Sequence, residues 1–324
     1  MDLTGKVIAI MEARGGVSAR TGNSWMTQEY VIEVPGQYPR KMVFNIFGED
    51  RIDPGQIADS GQCFRWHKVN DQIYIVPAFG KYLIIKKCQD GYEFSCDENE
   101  WNSIWSSYFD NDRNYNKIKK VILSGNDEHL KDAYSKGSGV RILKQDLWEI
   151  IFSFMISQNN NIKRIKGSIE KVCQYCKLDR FDNSSLSELN LDIDEISLTT
   201  DIYRFPSYDE IPLEIFDDSS FGFGYRAPYL KGLCQYVSDN PDWLDYLKTL
   251  SYEDAMTQLL KIKGIGKKVA NCICLFGLGH VNAFPIDTHV RQLLDKYYPD
   301  GFDYKKYDGY AGIIQQYLFY FELQ

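Results

Sequence analysis

The chain has 324 residues, 44% of them hydrophobic and 15% aromatic, which is enough for about two or three packed domains and excludes a disordered polyelectrolyte. No run reaches the roughly 18 apolar residues that a membrane-crossing helix needs, and the start, MDLTGKVIAI, lacks a basic-then-apolar signal pattern, so a cytoplasmic protein is expected. The net charge of −8 is unevenly spread: residues 192–218 carry nine acids and one arginine, whereas 261–296 carry six Lys or Arg against Asp287 and Asp295, and local field rather than the sum guides a polyanion.

Residues 1–50 read as three strands, within TGKVIAIMEA, MTQEYVIEV and KMVFNIF, from β-branched enrichment and partial alternation. RGGVSARTGNS and PGQYP are their connecting turns. The pattern stops at Gly48, and Asp53-Pro54 opens a second unit. Strands continue there through QCFRWHKV, QIYIVPAF, YLIIKK and YEFSC, with Phe64 and Trp66 as core residues. Helical sequence begins near Glu98, and within WSSYFDNDRNYNKIKKVI either Asp110 or Asp112 is placed to cap a helix.

From Asp146 the sequence LWEIIFSFMIS predicts an amphipathic helix whose aromatics face a core. Three asparagines follow, Asn159 to Asn161; they suit capping and turn chemistry as well as ligand contact. Cys173 and Cys176 make a single CxxC, and with no second pair or His pair to complete a zinc site they read as two helix residues. Residues 177–220 are acidic and loop-rich and read as a solvated excursion. FGFGYRAPY (221–229) then enters a helix.

Residues 261–296, KIKGIGKKVANCICLFGLGHVNAFPIDTHVRQLLDK, carry the chemistry. Gly264 and Gly266 permit a tight turn between two helices, and the amides after it point outward at a helix N-terminus, where an anion binds. Such a hairpin suits a DNA phosphate and reads no sequence; an ordinary helix–helix turn is the alternative. Lys268 lies in the first turn of the second helix beside Lys267. The positive end of the dipole and the neighbouring charge favour the free amine that a lysine nucleophile needs, although a phosphate contact would also use it. Asp287 precedes an apolar-periodic helix, as an N-cap or as a catalytic carboxylate. In the last helix, YAGIIQQYLFYFEL, Gln315 and Phe319 are four apart and share a face.

The pairing of GIGKKVA with PIDTHV resembles the 8-oxoguanine DNA glycosylase/AP lyases, the eukaryotic-type branch of the helix-hairpin-helix superfamily. SGQCFRW (60–66), GVRILKQDLWEIIFSFMISQNNNIKRI (139–165), FGFGYRAPY and AGIIQQYLF (311–319) follow in family order, so the resemblance runs from about residue 53 to the C-terminus. Residues 1–50 lie outside it and resemble the start of a small bacterial OB-like family. An OB fold has five strands, so this is a partial β segment, either an extension of the next sheet or a separate strand-binding module.

The resemblance implies an α+β protein: an antiparallel β domain with helices (51–145) packed on an all-α helix-hairpin-helix catalytic domain (146–324), preceded by three extra N-terminal strands (1–50). It implies excision of 8-oxoguanine opposite cytosine from duplex DNA through a lysine Schiff base, with β-elimination strand cleavage. By residue, Lys268 is the implied nucleophile and Asp287 the carboxylate that stabilises the sugar cation. Gly61, Cys272, Gln315 and Phe319 hold the extruded base. Asn159 fills the gap it leaves, Arg164 and Arg226 read the orphaned cytosine, and Tyr225 is the wedge. Gly264, Gly266, Lys267 and His289 hold the DNA backbone. Some relatives carry a four-cysteine iron–sulfur cluster after the catalytic Asp; no cysteine follows Asp287, so neither metal nor cofactor is expected. The expected partner is damaged double-stranded DNA, bound by a monomer in the bacterial, nucleoid-associated cytoplasm. A monofunctional alkylpurine glycosylase on the same scaffold would keep Asp287 and lack Lys268, and a non-catalytic DNA-binding protein would not need the two together.

Overall fold

The computed structural model describes residues 52–89, 91–181 and 201–324 and, before them, the backbone of five short strands. These are β1 (Lys6–Ile10), β2 (Arg14–Val17), β3 (Ser24–Thr27), β4 (Tyr30–Glu33) and β5 (Met42–Asn45). β1 pairs antiparallel with β4, and β2 with β3. Five strands thus stand where three are expected. The RGGVSARTGNS stretch is not only a turn, because its ends form a ladder that sets Arg14 opposite Thr27 and Gly16 opposite Trp25. Strand propensity is weak enough that a paired neighbour overrides two glycines.

The main sheet is antiparallel throughout, in the order β5-β9-β8-β7-β6, with β6 His67–Asn70, β7 Ile73–Ala78, β8 Lys81–Lys87 and β9 Gly91–Phe94. Alternation assigns its two faces. Tyr74, Val76, Leu83, Ile85 and Phe94 pack with Trp66, Trp101, Trp105 and Phe109. Ile73, Ile75 and Ile84 pack with Phe181 and Ile202. The described parts of 177–220 are therefore not a solvated excursion: Ile202 covers the sheet, Ile211, Ile215 and Phe216 enter the helical core, and Trp148 Nε1 donates to the Pro206 carbonyl (2.9 Å). Widely spaced apolar anchors suffice to bury a segment whose overall composition is acidic. Residues 182–200 lie outside the described part.

Helices α1 (Pro54–Asp59), α2 (Glu98–Glu100), which runs through a π turn (Trp101–Trp105) into α3 (Ser106–Tyr108), α4 (Tyr115–Ser124) and α5 (Glu128–Gly137) come from the first half. Asn114 caps α4, its side chain accepting from Lys117 N, where Asp110 or Asp112 was expected. Asp110 is instead buried among Arg113, Tyr115 and Lys144. The helical half comprises α6 (Leu147–Ser157), α7 (Ile162–Cys176), α8 (Ala227–Asp239), α9 (Trp243–Lys248), α10 (Tyr252–Leu259), α11 (Lys267–Phe276), α12 (Thr288–Tyr297) and α13 (Ala311–Leu323). α6 is buried from Leu147 to Ile156 except at Glu149, so it is a central helix rather than an amphipathic one. Ile118, Ile122, Leu130 and Ala133 of α4 and α5 share this helical core with α13.

Candidate active site

Three clusters hold all the predicted residues except Arg164. The first surrounds the α10–α11 hairpin. Gly264 has φ +95°, and a Cβ there would lie 2.8 Å from Tyr229 Cβ and Cγ, so only glycine fits. Its carbonyl accepts from Gln158 Nε2 (2.9 Å), which ties the hairpin to the end of α6. Gly266 differs: it is extended, faces open space and is the N-cap of α11 without a side-chain cap. The opening amides of α11 are thus left for an external anion, with Lys267 exposed beside them.

Lys268, half-buried, sits in that first turn with its Nζ 5.4 Å from the Phe154 ring centroid. One turn on, Cys272 is buried. Burial pushes its thiol up to about 11; the charge of Lys268 and a hydrogen bond from it pull the other way, and the charge of Asp287 adds to the rise. Lys268 and Asp287 therefore both act on one sulfur. Asp287 is half-buried and caps α12, its Oδ1 accepting from Val290 N (2.9 Å). His289 is exposed in the first turn of α12. Asn271, which sequence reasoning passed over, joins these parts: its Oδ1 accepts from Tyr252 OH (2.7 Å) and Phe284 N (3.3 Å), and its Nδ2 donates to the Lys267 carbonyl (2.9 Å). The available signal was an asparagine inside a helix, four residues after Lys267.

The second cluster joins residues far apart in the chain. Gly61 has φ +74°, and a Cβ on it would lie 2.8 Å from Phe319 Cε1. Gln315, one turn before Phe319 on α13, is 4% exposed, and its Oε1 has no hydrogen-bond partner among the described residues. A buried acceptor without a donor is costly unless a ligand supplies one.

The third cluster is at the α6–α7 break. Asn159 is exposed with φ +46°, and its Nδ2 donates to Tyr225 OH (3.3 Å). Tyr225 is 53% exposed. Arg226 is buried beneath it: Nε donates to the Gln158 carbonyl (2.8 Å), one NH2 proton joins the same acceptor, the other goes to the Asn159 carbonyl (3.0 Å), and NH1 donates to Phe223 (3.2 Å). Four of its five donors are engaged by backbone. Arg164 stands apart in the first turn of α7, its exposed guanidinium without a protein partner among the described residues. A cavity of about 270 Å³ between the β7–β8 turn and α6 is lined by none of these residues. Cys173 and Cys176 lie one turn apart on α7, and burial raises both thiols.

Residues 46–151 match the family model described as the 8-oxoguanine DNA glycosylase N-terminal domain. The chain is 32% identical, with a TM-score of 0.72, to the solved 8-oxoguanine glycosylase/lyase of Clostridium acetobutylicum, over 86% of this chain and 97% of that one. This chain belongs to the 8-oxoguanine DNA glycosylase/lyase family. Other relatives in the family include the N-glycosylase/DNA lyase OGG1 of Arabidopsis thaliana, 28% identical over 82% of this chain and 75% of its own length. The N-glycosylase/DNA lyase of Saccharomyces cerevisiae is 31% identical over 49% of this chain and 42% of its own. Ahead of the family region, residues 2–66 match a model described as a domain of unknown function, DUF3127, so the two matches overlap across 46–66. No helix of the described residues is long and apolar enough to cross a membrane.

Proposed function

We propose that the chain excises 8-oxoguanine opposite cytosine from duplex DNA and cleaves the strand at the resulting site, with Lys268 as nucleophile. The observation that carries this is Lys268 in the first turn of α11, at a helix N-terminus with no side-chain cap, one turn before the buried Cys272, whose thiol feels the charges of both Lys268 and Asp287. No side chain reaches C1′ inside a stacked duplex, so the nucleotide is extruded first. The hairpin amides and Lys267 hold the phosphate backbone, and His289 a phosphate near the site. The free amine of Lys268 attacks C1′, and the N-glycosidic bond breaks with its electron pair leaving on the base, which takes up a proton. Asp287 stabilises the cationic sugar in between. The nitrogen gives up one proton, O4′ takes one up as the C1′–O4′ bond breaks, and the open sugar is left as an iminium that keeps one N–H. Loss of a C2′ proton then expels the 3′ phosphate, and water releases the lysine.

Recognition follows from the other two clusters. The unpaired Gln315 Oε1 accepts an N–H from the base edge, the Gly61 carbonyl accepts the N7–H that guanine lacks, and Phe319 and Cys272 enclose the faces. Normal guanine would set two acceptors against each other. Asn159 and Tyr225 fill the vacated stack. Because Arg226 has one donor left, Arg164 makes the main contact to cytosine. On this reading the protein works as a monomer on chromosomal DNA in the bacterial cytoplasm. Borohydride reduction in the presence of an 8-oxoguanine:cytosine duplex tests it: a covalent protein–DNA adduct is expected, and absence of any adduct despite base release would remove the lysine mechanism.

A further inference from the structure

Gln316 is next to a predicted base-binding residue, yet it lies on a different face of α13 and is 2% exposed. Its Nε2 donates to the carbonyl of Ser60, the residue before Gly61. Burying a carboxamide this deeply is costly unless its donors are satisfied, and the carbonyl it reaches belongs to the peptide unit that sets the entry to Gly61.

The turn is held from the other side as well. Ser60 Oγ donates to the Ile57 carbonyl (2.7 Å) and accepts from Gln62 Nε2 (2.9 Å). Gln62 Nε2 also donates to Arg141 O (2.8 Å), and Gln62 Oε1 accepts from Leu143 N (2.8 Å). Gln145 Nε2 donates to the Gln62 carbonyl (2.8 Å). The carbonyl of Gly61 therefore sits between two peptide units whose own carbonyls are clamped, one by Gln316 and one by Gln145. Gln145 and Gln62 tie the turn to the segment before α6. Gln316 ties it to α13, the helix that carries Gln315 and Phe319.

Here the tolerance is small. Phe319 Cε1 lies 2.8 Å from the position of a Cβ on Gly61, so the ring and the turn are already in close contact. A turn free to shift relative to α13 would change the gap in which a base is held.

We propose that Gln316 is a positioning residue for lesion recognition: by holding the Ser60 carbonyl it locks the Gly61 turn to the helix bearing Gln315 and Phe319. This rests on the function proposed above. Among the described residues Gln316 bonds to Ser60 and to neither Lys268 nor Asp287, so it should govern base excision and leave cleavage of an existing abasic site intact.

The test compares the parent with Gln316→Met, which keeps volume and loses the donor, and Gln316→Glu, which keeps shape and sets an acceptor against the carbonyl. Single-turnover release of 8-oxoguanine opposite cytosine and strand cleavage at a preformed abasic site are measured on the same preparations, the second reporting the folded, lysine-competent fraction. Excision should fall by about tenfold or more in both variants while abasic-site cleavage stays within about twofold. Excision within about twofold of the parent in Gln316→Met would overturn the proposal, as would parallel loss of both activities. If the parent itself releases no 8-oxoguanine, the underlying reading fails whatever stands at position 316.

Discussion

On the proposed mechanism Lys268 and Asp287 do different things to one sugar, and their variants should separate. Lys268→Gln cannot form an iminium, so both activities and the borohydride adduct should vanish while duplex binding persists; Lys267→Gln should only weaken binding. If Lys267 proved essential instead, the nucleophile would be one residue earlier. Asp287 caps α12 and, on the proposed mechanism, is a catalyst as well. Asparagine caps about as well as aspartate, so Asp287→Asn should melt close to the parent while turnover falls by about a hundredfold or more. Near-normal turnover would leave Asp287 as a cap alone. A third residue governs stability. Burial pushes the Glu149 carboxyl from 4.5 up to about 7, partly opposed by Arg65 at 3.8 Å. The folded form then holds the extra proton between those values, so this group's contribution to stability falls as pH rises from about 4.5 to about 7 and stays low above. Glu149→Gln cannot ionise. Relative to the parent its melting temperature should gain between pH 5 and pH 8, and a difference independent of pH would mean that Glu149 is not the titrating group.

At the scale of the element, the hairpin glycines are not equivalent. Gly264 is left-handed and pressed on Tyr229, whereas Gly266 is an extended N-cap facing open space. Gly264→Ala should cost about 2 kcal/mol or more, from left-handed strain plus overpacking against Tyr229. Gly266→Ala should cost less than about 1 kcal/mol, the difference between glycine and alanine at an N-cap. Chemical denaturation of both variants checks the order, and equal costs would show that the turn adapts. α13 is the other element that matters. One of its faces carries Gln315 and Phe319, while Gln316 reaches Ser60, so a single helix is joined to the distant Ser60–Gly61 turn at two points.

At the scale of the whole molecule the distinctive part is residues 1–50. β5 pairs with β9, Met42 opposite Phe94 and Asn45 opposite Gly91, so the extra segment completes one edge of the main sheet. We infer that it docks on the glycosylase part rather than acting as a free module. Deleting residues 2–50 removes β5 and exposes the β9 edge, which should lower melting temperature and solubility without changing the excision rate of the folded fraction. Unchanged melting combined with weaker single-strand binding would make the segment an independent nucleic-acid module. The side chains of Arg14, Arg20, Trp25, Arg40 and Lys41, on which such binding would depend, lie outside the described residues.

The local chemistry was legible in the residues themselves. A Gly-Ile-Gly turn, an N-capping aspartate and a short apolar strand run each depend on neighbours within a few positions, and Gly264, the Asp287 cap and β7 stand as that reading expects. Whatever depends on packing between distant segments was not. The contact of Gly61 with Phe319, the engagement of Arg226 by Gln158 and Asn159, and the burial of Ile202 and Phe216 each join residues far apart in the chain. Whether a polar side chain is free or occupied was likewise decided only by the fold: Gln315 and Gln316 are identical neighbours, and the offset of about 100° between adjacent residues of α13 leaves one acceptor bare and sends the other side chain to the Ser60 carbonyl.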